Sequence, residues 1–435
     1  MTSAAMPSDI GGSDLGGSDL GGEVRATPEQ RRARIVGLVE LAMAMFVLFI
    51  FALGEGSDQD ATFKLALPRD RFEPLDWTVN PQIVGIGIAT VLAVLAGVQL
   101  TKGFGSRANL ILGGAMALFI FAFLAWAAAG QSFSLIGMLT STVVLSVPVT
   151  LGGLAGLMCE RVAVINIGIE GQLLTSAFVG TVVGSTWGSW TAVVAAALAG
   201  ALLGWVLAVL SIKYLVDQIV VGVAINIFAL GLTSFLSGRV LSTNPQFNSP
   251  DRFRTVAIPW LEDIPMLGNL FFKQNVFLYG TILLVVVIHF GLFHTRWGLR
   301  SRAVGEHPKA ADTVGIDVLR IRYRNVILGG AIAGFGGAAL TLGSTGRFEE
   351  NMTAGVGFIG LAAMIFGRWR PMGVLGAALV FGFARAMQQK LGILGTNIPS
   401  EFLSMAPYIV TIVVVAGLIG HARPPAADGQ PYIKD

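Results

Sequence analysis

Long apolar runs fill this chain, and its polar residues are gathered into short intervals between them. Many runs approach the roughly 20 residues that a helix needs to cross hydrocarbon. The pattern predicts twelve spans: Ile35–Leu53, Ile83–Leu100, Asn109–Ala129, Ile136–Met158, Val164–Thr186, Thr191–Ile212, Ile219–Leu236, Val276–Phe293, Asn325–Leu342, Gly355–Gly367, Met372–Gln388 and Phe402–Gly420. The runs do not show the strict alternation of barrel strands. The expected fold class is therefore an all-α integral membrane protein, a polytopic bundle in which each span satisfies its own backbone hydrogen bonds. Gly355–Gly367 is too short. Thirteen residues rise only ~20 Å as a helix, against ~30 Å of hydrocarbon, so a broken or re-entrant helix is expected there. Such segments line cavities in transporters.

Composition supports this class. Of 435 residues, 54% are hydrophobic and 13% charged, about half the charge of a soluble domain. The single cysteine, Cys159, excludes an internal disulfide. The four histidines show no metal-ligand spacing, and no GxxxxGK[ST] loop is present.

Charge adds orientation. The GGSDLGGSDLGG repeat makes residues 1–34 an expected disordered tail. Arg31, Arg32 and Arg34 precede the first run, as for a retained anchor with its N-terminus inside. With that placement, 19 of the 29 Lys and Arg fall on the cytosolic side, nine fall outside and Arg385 lies within a span. Basic bias thus favours N-in and C-in. Trp187, Trp190 and Trp260 are expected at interfaces.

A few polar residues interrupt the runs. Cys159–Leu174, CERVAVINIGIEGQLL, carries Glu160, Arg161, Asn166, Glu170 and Gln172. If Arg161 marks the cytosolic edge, Glu170 lies ~13 Å deeper along a helix, near the midplane, with Asn166 on the same face. Asn226, nine residues after Asp217, reaches similar depth on another span. Intramembrane carboxylates are costly, so these groups are expected to line or brace a path for a hydrophilic solute. Asn226 serves equally as a buried interhelical tie.

His294–Arg324 is the longest cytosolic loop. Pro308 suits a first helical position and Gly315 the residue past its end. Between them, Lys309–Val314 reads as a short helix with Ala310 and Ala311 exposed, a face suited to a groove on a soluble partner. The flanking arginines also fit an ordinary positive-inside loop.

Four stretches in order carry a resemblance: GLMCERVAVINIGIEGQLL, DQIVVGVAINIFALGLTSFL, LRSRAVGEHPKAADTVGI and TAGVGFIGLAAMIFGRWRPMG. The first resembles the ER-G-x-x-NIG-x-EG signature of permease subunits of ATP-binding cassette (ABC) importers, in the branch for branched-chain amino acids, ribose-like sugars and nucleosides. The set looks most like the nucleoside-type permeases. It covers Leu135 to His421. Ala163 stands where glycine is usual, and Gln172 and Leu173 where methionines are common.

The resemblance implies a division into a tail (1–34), an N-terminal extension of about three spans (35–134), a permease core (135–421) and a second cytosolic tail (422–435). It implies a non-catalytic subunit of a prokaryotic cytoplasmic membrane that moves a small polar solute, a nucleoside above all, inward. Its partners would be ABC ATPase subunits, a second permease, an extracytoplasmic substrate-binding lipoprotein and the lipid bilayer; nucleic acid is not among them. ATP and Mg would bind the ATPase, and this chain would hold no cofactor or metal. Gly305, Glu306, His307, Pro308, Lys309, Ala310, Ala311 and Gly315 would form the coupling helix. Asn166, Glu170, Gln172 and Asn226 would lie on the path. The alternatives are a simple-sugar permease of the same kind, or an ion-coupled secondary transporter with Glu170 as its proton site.

Overall fold

The structure, a computed structural model, describes residues 28–54, 57–66, 76–394, 405 and 423–434. Most of the tail 1–34 and all of the expected span Phe402–Gly420 except Met405 lie outside the described residues. The chain divides into two compact units, residues 1–55 with 82–124, and residues 56–81 with 125–435.

In the first unit, α1 (Pro28–Phe46) runs on through a π-helical turn to Ala52, followed by α2 (Pro81–Thr101) and α3 (Ala108–Ala127). α1 meets α2 where Gly37 faces Leu100 and Gly85 faces Ala52. Phe46, Phe51, Phe119 and Phe123 form an aromatic cluster with centroids 5.3–5.9 Å apart.

The second unit holds α4 (Leu135–Glu160), α5 (Ile169–Trp187), α6 (Ser189–Ala208), α7 (Gln218–Leu236), α8 (Val276–His294), α9 (Arg296–Glu306), α10 (Pro308–Thr313), α11 (Val318–Leu340), α12 (Val356–Phe366) and α13 (Pro371–Leu394). Two small sheets lie in its loops. β1 (Ala61–Lys64) pairs antiparallel with β2 (Trp77–Val79) and parallel with β3 (Ser132–Ser134). β4 (Val256–Ala257) pairs antiparallel with β5 (Lys273–Gln274). Helix starts are fixed by side chains that accept orphan N–H groups. Ser134 accepts from Gly137 (3.1 Å), Asp217 from Ile219 (2.9 Å) and Val220 (3.1 Å), and Asp317 from Arg320 (3.0 Å).

α4 is the most deeply buried of the long helices of this unit, whereas α6 leaves most of its length partly or fully exposed. Small residues let neighbours close in, as membrane helices require. Gly200 and Gly204 of α6 meet Gly330 and Gly334 of α11, and Gly153 of α4 meets Gly360 of α12.

Among the described residues, nine helices are long and apolar enough to cross a membrane, and α12 is a shorter apolar helix. The short tenth segment is thus present as expected. Three expectations need correction. The span placed at Val164–Thr186 begins only at Ile169, because residues 161–168 form two turns joined by irregular backbone. The basic loop His294–Arg324 is largely helical, through α9, α10 and the first turns of α11. Ala310 is exposed as expected, but Ala311 is buried against Val304, Val318 and Tyr432.

Candidate functional site: a capped short helix beside a hollow

α4 ends at Glu160, and the chain reverses through a tight turn. Ala163 N–H donates to the Glu160 carbonyl (2.9 Å) and Val164 N–H to that of Cys159 (3.1 Å). Ala163 takes φ +62°, in the left-handed region, at a cost of roughly 1 kcal/mol that glycine avoids.

The charged pair at this turn faces protein. Glu160 Oε2 accepts from Trp369 Nε1 (2.6 Å), and Arg161 Nε donates to the Trp369 carbonyl (3.0 Å), joined by its Nη2. Trp369 lies in the turn joining α12 to α13, where Arg368 and Trp369 have φ +53° and +51°. The Arg161 guanidinium also sits over the ring of Phe293, 5.6 Å from its centroid. Ile165 N–H is taken up by Gln218 Oε1 (2.6 Å).

Deeper in the stretch, Asn166 Nδ2 donates to Gln172 Oε1 (3.1 Å) and approaches Cys159 Sγ (3.6 Å); all three residues are buried. Asn166 precedes the helix, so it does not share a helical face with Glu170, and depth along the turns does not follow helical rise. Glu170 occupies the first turn of α5. Its Oε1 accepts from Gly355 N (2.7 Å) and its Oε2 from Gly357 N (2.6 Å). The carboxylate thereby caps α12, where a negative charge also meets the positive end of the helix dipole. Gly357 is required by this approach, since a Cβ there would lie 2.7 Å from Glu170 Cα.

Asn226 completes the cluster from α7. Its Oδ1 accepts from Gly171 N (2.8 Å) and its Nδ2 donates to the Ile167 carbonyl (2.9 Å). Gly222, one turn earlier, lies against Gly168 and Ile167. The four intramembrane polar residues singled out in the sequence thus divide into two pairs. Asn166 bonds Gln172, while Glu170 and Asn226 border one hollow of about 270 Å³ together with Leu230, Asn351 and Phe358. Both ends of the Asn226 amide and both Glu170 oxygens are engaged inside the chain.

Each backbone group left unmet in a buried site costs about 1–3 kcal/mol. Asn226→Leu is therefore expected to lower the melting temperature of the detergent-solubilised protein. Asn226→Asp, which keeps the acceptor for Gly171, should fall between the two. A leucine variant as stable as the parent in a thermal unfolding assay removes Asn226 as a tie.

Gly305 to Gly315 form the α9–α10 junction and the helix after it. His307 Nδ1 accepts from Ala310 N (3.4 Å) and Pro308 is the first helical residue. Gly315, with φ +81°, ends the turn. Two features escaped sequence reading. Trp369 carried only the signal of an aromatic between Arg368 and Arg370. Residues 423–434 fold back on α9 and α10, and only Tyr432 hinted at an apolar contact. Among the described residues, no group of three or more His, Cys, Asp or Glu is placed to hold a metal.

Residues 138–419 match the family described as branched-chain amino acid transport system / permease component. The chain is 40% identical over 311 residues to the guanosine ABC transporter permease protein NupQ of Bacillus subtilis, covering 68% of this chain and 95% of that one. It is 39% identical over 302 residues to the nucleoside ABC transporter permease protein NupC of Lactococcus lactis, covering 66% and 94%. It is 34% identical over 300 residues to the putative glucose ABC transporter permease protein TsgC13 of Haloferax volcanii, covering 64% and 91%. No solved structure matches.

Proposed function

This chain belongs to the branched-chain amino acid transport system / permease component family, and on that premise we propose that it carries a nucleoside inward as one permease of an ABC importer. The observation that carries the solute class is the 39–40% identity to permeases named for guanosine and nucleosides, over most of their length. A hollow between α5, α7 and α12, beside a helix too short to cross hydrocarbon on its own, supports a path there.

In this reading the nine long helices, α5, the short or broken span at α12 and the span expected at Phe402–Gly420 make up about twelve spans, with both termini in the cytosol of a prokaryotic cell. The extension 35–134 adds three of them to the core 135–421. The solute arrives from a binding lipoprotein outside and passes between this chain and a second permease. Cassette ATPase subunits dock below, and ATP and Mg are held on those chains. Gly305–Gly315 is the coupling element. Glu170 and Asn226 brace the path rather than grip the solute, because both polar ends of each are bonded within the chain, and Asn166 and Gln172 brace it as a buried pair bonded to each other. Leu230, Asn351 and Phe358 offer the wall that the solute meets.

Proteoliposomes holding this chain with its second permease, ATPase and lipoprotein test the reading. ATP should drive accumulation of labelled guanosine, competed by unlabelled nucleosides and not by ribose or glucose. The likeness to the putative glucose permease makes a simple sugar the second reading. ATP-driven sugar accumulation without nucleoside accumulation would establish it. Accumulation driven by a proton gradient without ATP would sink both.

A further inference from the structure

The segment Arg423–Lys434 lies beyond the residues matched by the family, 138–419, yet it is built into the face formed by α9, α10 and the start of α11. Ala427 N–H donates to the Gly305 carbonyl (3.0 Å) and Ala426 N–H to Glu306 Oε2 (3.2 Å), which grips the α9–α10 junction. Arg322, only 1% exposed, donates from Nη1 to the Gln430 carbonyl (3.2 Å) and lies over the Tyr432 ring at 5.9 Å. Tyr432 is buried in the cluster that includes Val304, Ala311 and Val318. Lys434 Nζ stands 3.7 Å from Asp312 Oδ1 on α10 itself. Asp428 is packed beside Glu160, and burial pushes its carboxyl up to about 6.

Of these contacts, the packing of Tyr432 with Ala311 and the approach of Lys434 to Asp312 reach α10 itself. They also leave a surface. A hollow of about 330 Å³ separates His307, Pro308 and Lys309 from Gln430, Pro431 and Ile433. Ile433 is 64% exposed and Val314, at the end of α10, is 74% exposed. Lys309 and Lys434 flank them. Exposed apolar side chains rimmed by charge mark an interaction surface, and beside the coupling element the partner that the proposed function supplies is the ATPase.

We propose that Arg423–Lys434 is a second element of the ATPase-docking surface, which seats α10 and adds the exposed Ile433 to the exposed Val314 of the α10 end as apolar anchors for a cassette subunit groove with an acidic rim. The proposal rests on the reading of α10 as the coupling helix. It explains why a six-residue helix, too short to hold itself in water, keeps a fixed pose.

The full-length chain, purified with its partner permease, is tested for capture of its ATPase subunit. Ile433→Asp and Val314→Asp change exposed side chains and leave the burial of Tyr432 alone. Each should weaken capture by about tenfold or more, the effect of losing one interface anchor. Loss with Val314→Asp but full capture with Ile433→Asp overturns the proposal and leaves the coupling role of α10 standing. Full capture with both overturns that role as well. Loss with Ile433→Asp alone also overturns the proposal, since the surface would then exclude the helix.

Discussion

Glu170→Ala is expected to abolish uptake and to lower stability by about 2–6 kcal/mol. Two N–H donors, of half-buried Gly355 and buried Gly357, lose their acceptor, at about 1–3 kcal/mol each. The start of α12 also loses the negative charge that its dipole favours, a further contribution of up to about 1 kcal/mol at an ordinary helix end. Asp at this position is one methylene too short to reach both donors. Glu170→Gln keeps the length but points an N–H₂ group at one of the two N–H donors, so it should recover only part of the loss. Thermal unfolding and ATP-driven uptake measured on the same preparations separate a cap from a proton site. A proton site predicts that Glu170→Gln stops transport while the melting temperature stays at the parental value. That outcome would revive the ion-coupled reading.

The second large effect is expected at the α6–α11 seam. A Cβ on Gly334 would lie 2.7 Å from Ala197 Cα and closer still to the Ala196 carbonyl oxygen. Nothing there is a flexible side-chain end that could swing aside; both neighbours are backbone. Overpacking costs about 1–3 kcal/mol where side chains can adjust. Gly334→Val should reach or exceed the upper figure and yield little folded protein. Gly231→Val on α7 is the control, since nothing lies within 4 Å of a Cβ there. Equal melting temperatures for the two variants would show that the seam tolerates separation.

Much of this arrangement was legible in the chain. The long helices follow from apolar runs, and the short α12 from a run of thirteen residues flanked by glycines. Asn226 and Glu170 were readable as costly intramembrane groups, and the structure brings both to one hollow. The partners were not readable. Val162–Ile167 is apolar enough to continue a helix, and hydropathy carries no information about the left-handed turn at Ala163. Glu170 is capped onto residues 185 and 187 positions away, a distance that no helical period spans. Arg322 reads as a loop cation because its neighbours are basic. It is buried because a carbonyl and an aromatic ring return to it from the far end of the chain. Ala311 faces inward for the same reason. The GxxxG pairs of α6 and α11 announce close packing but not with whom.

One consequence concerns how α12 can move. Its beginning is pinned by Glu170, and the turn after its end by Glu160 and Arg161 through Trp369. Both anchors belong to the same short piece of chain, residues 160–170, which ends α4 and begins α5. The eleven-residue helix is therefore a strut fixed at two points to one bracket, and rotation about either end alone would break the other fastening. Any stroke that opens or shuts the adjoining hollow must carry bracket and strut together. α7, on the far side of the hollow, is held to the same bracket by the two hydrogen bonds of Asn226, so a stroke that left α7 behind would have to break both.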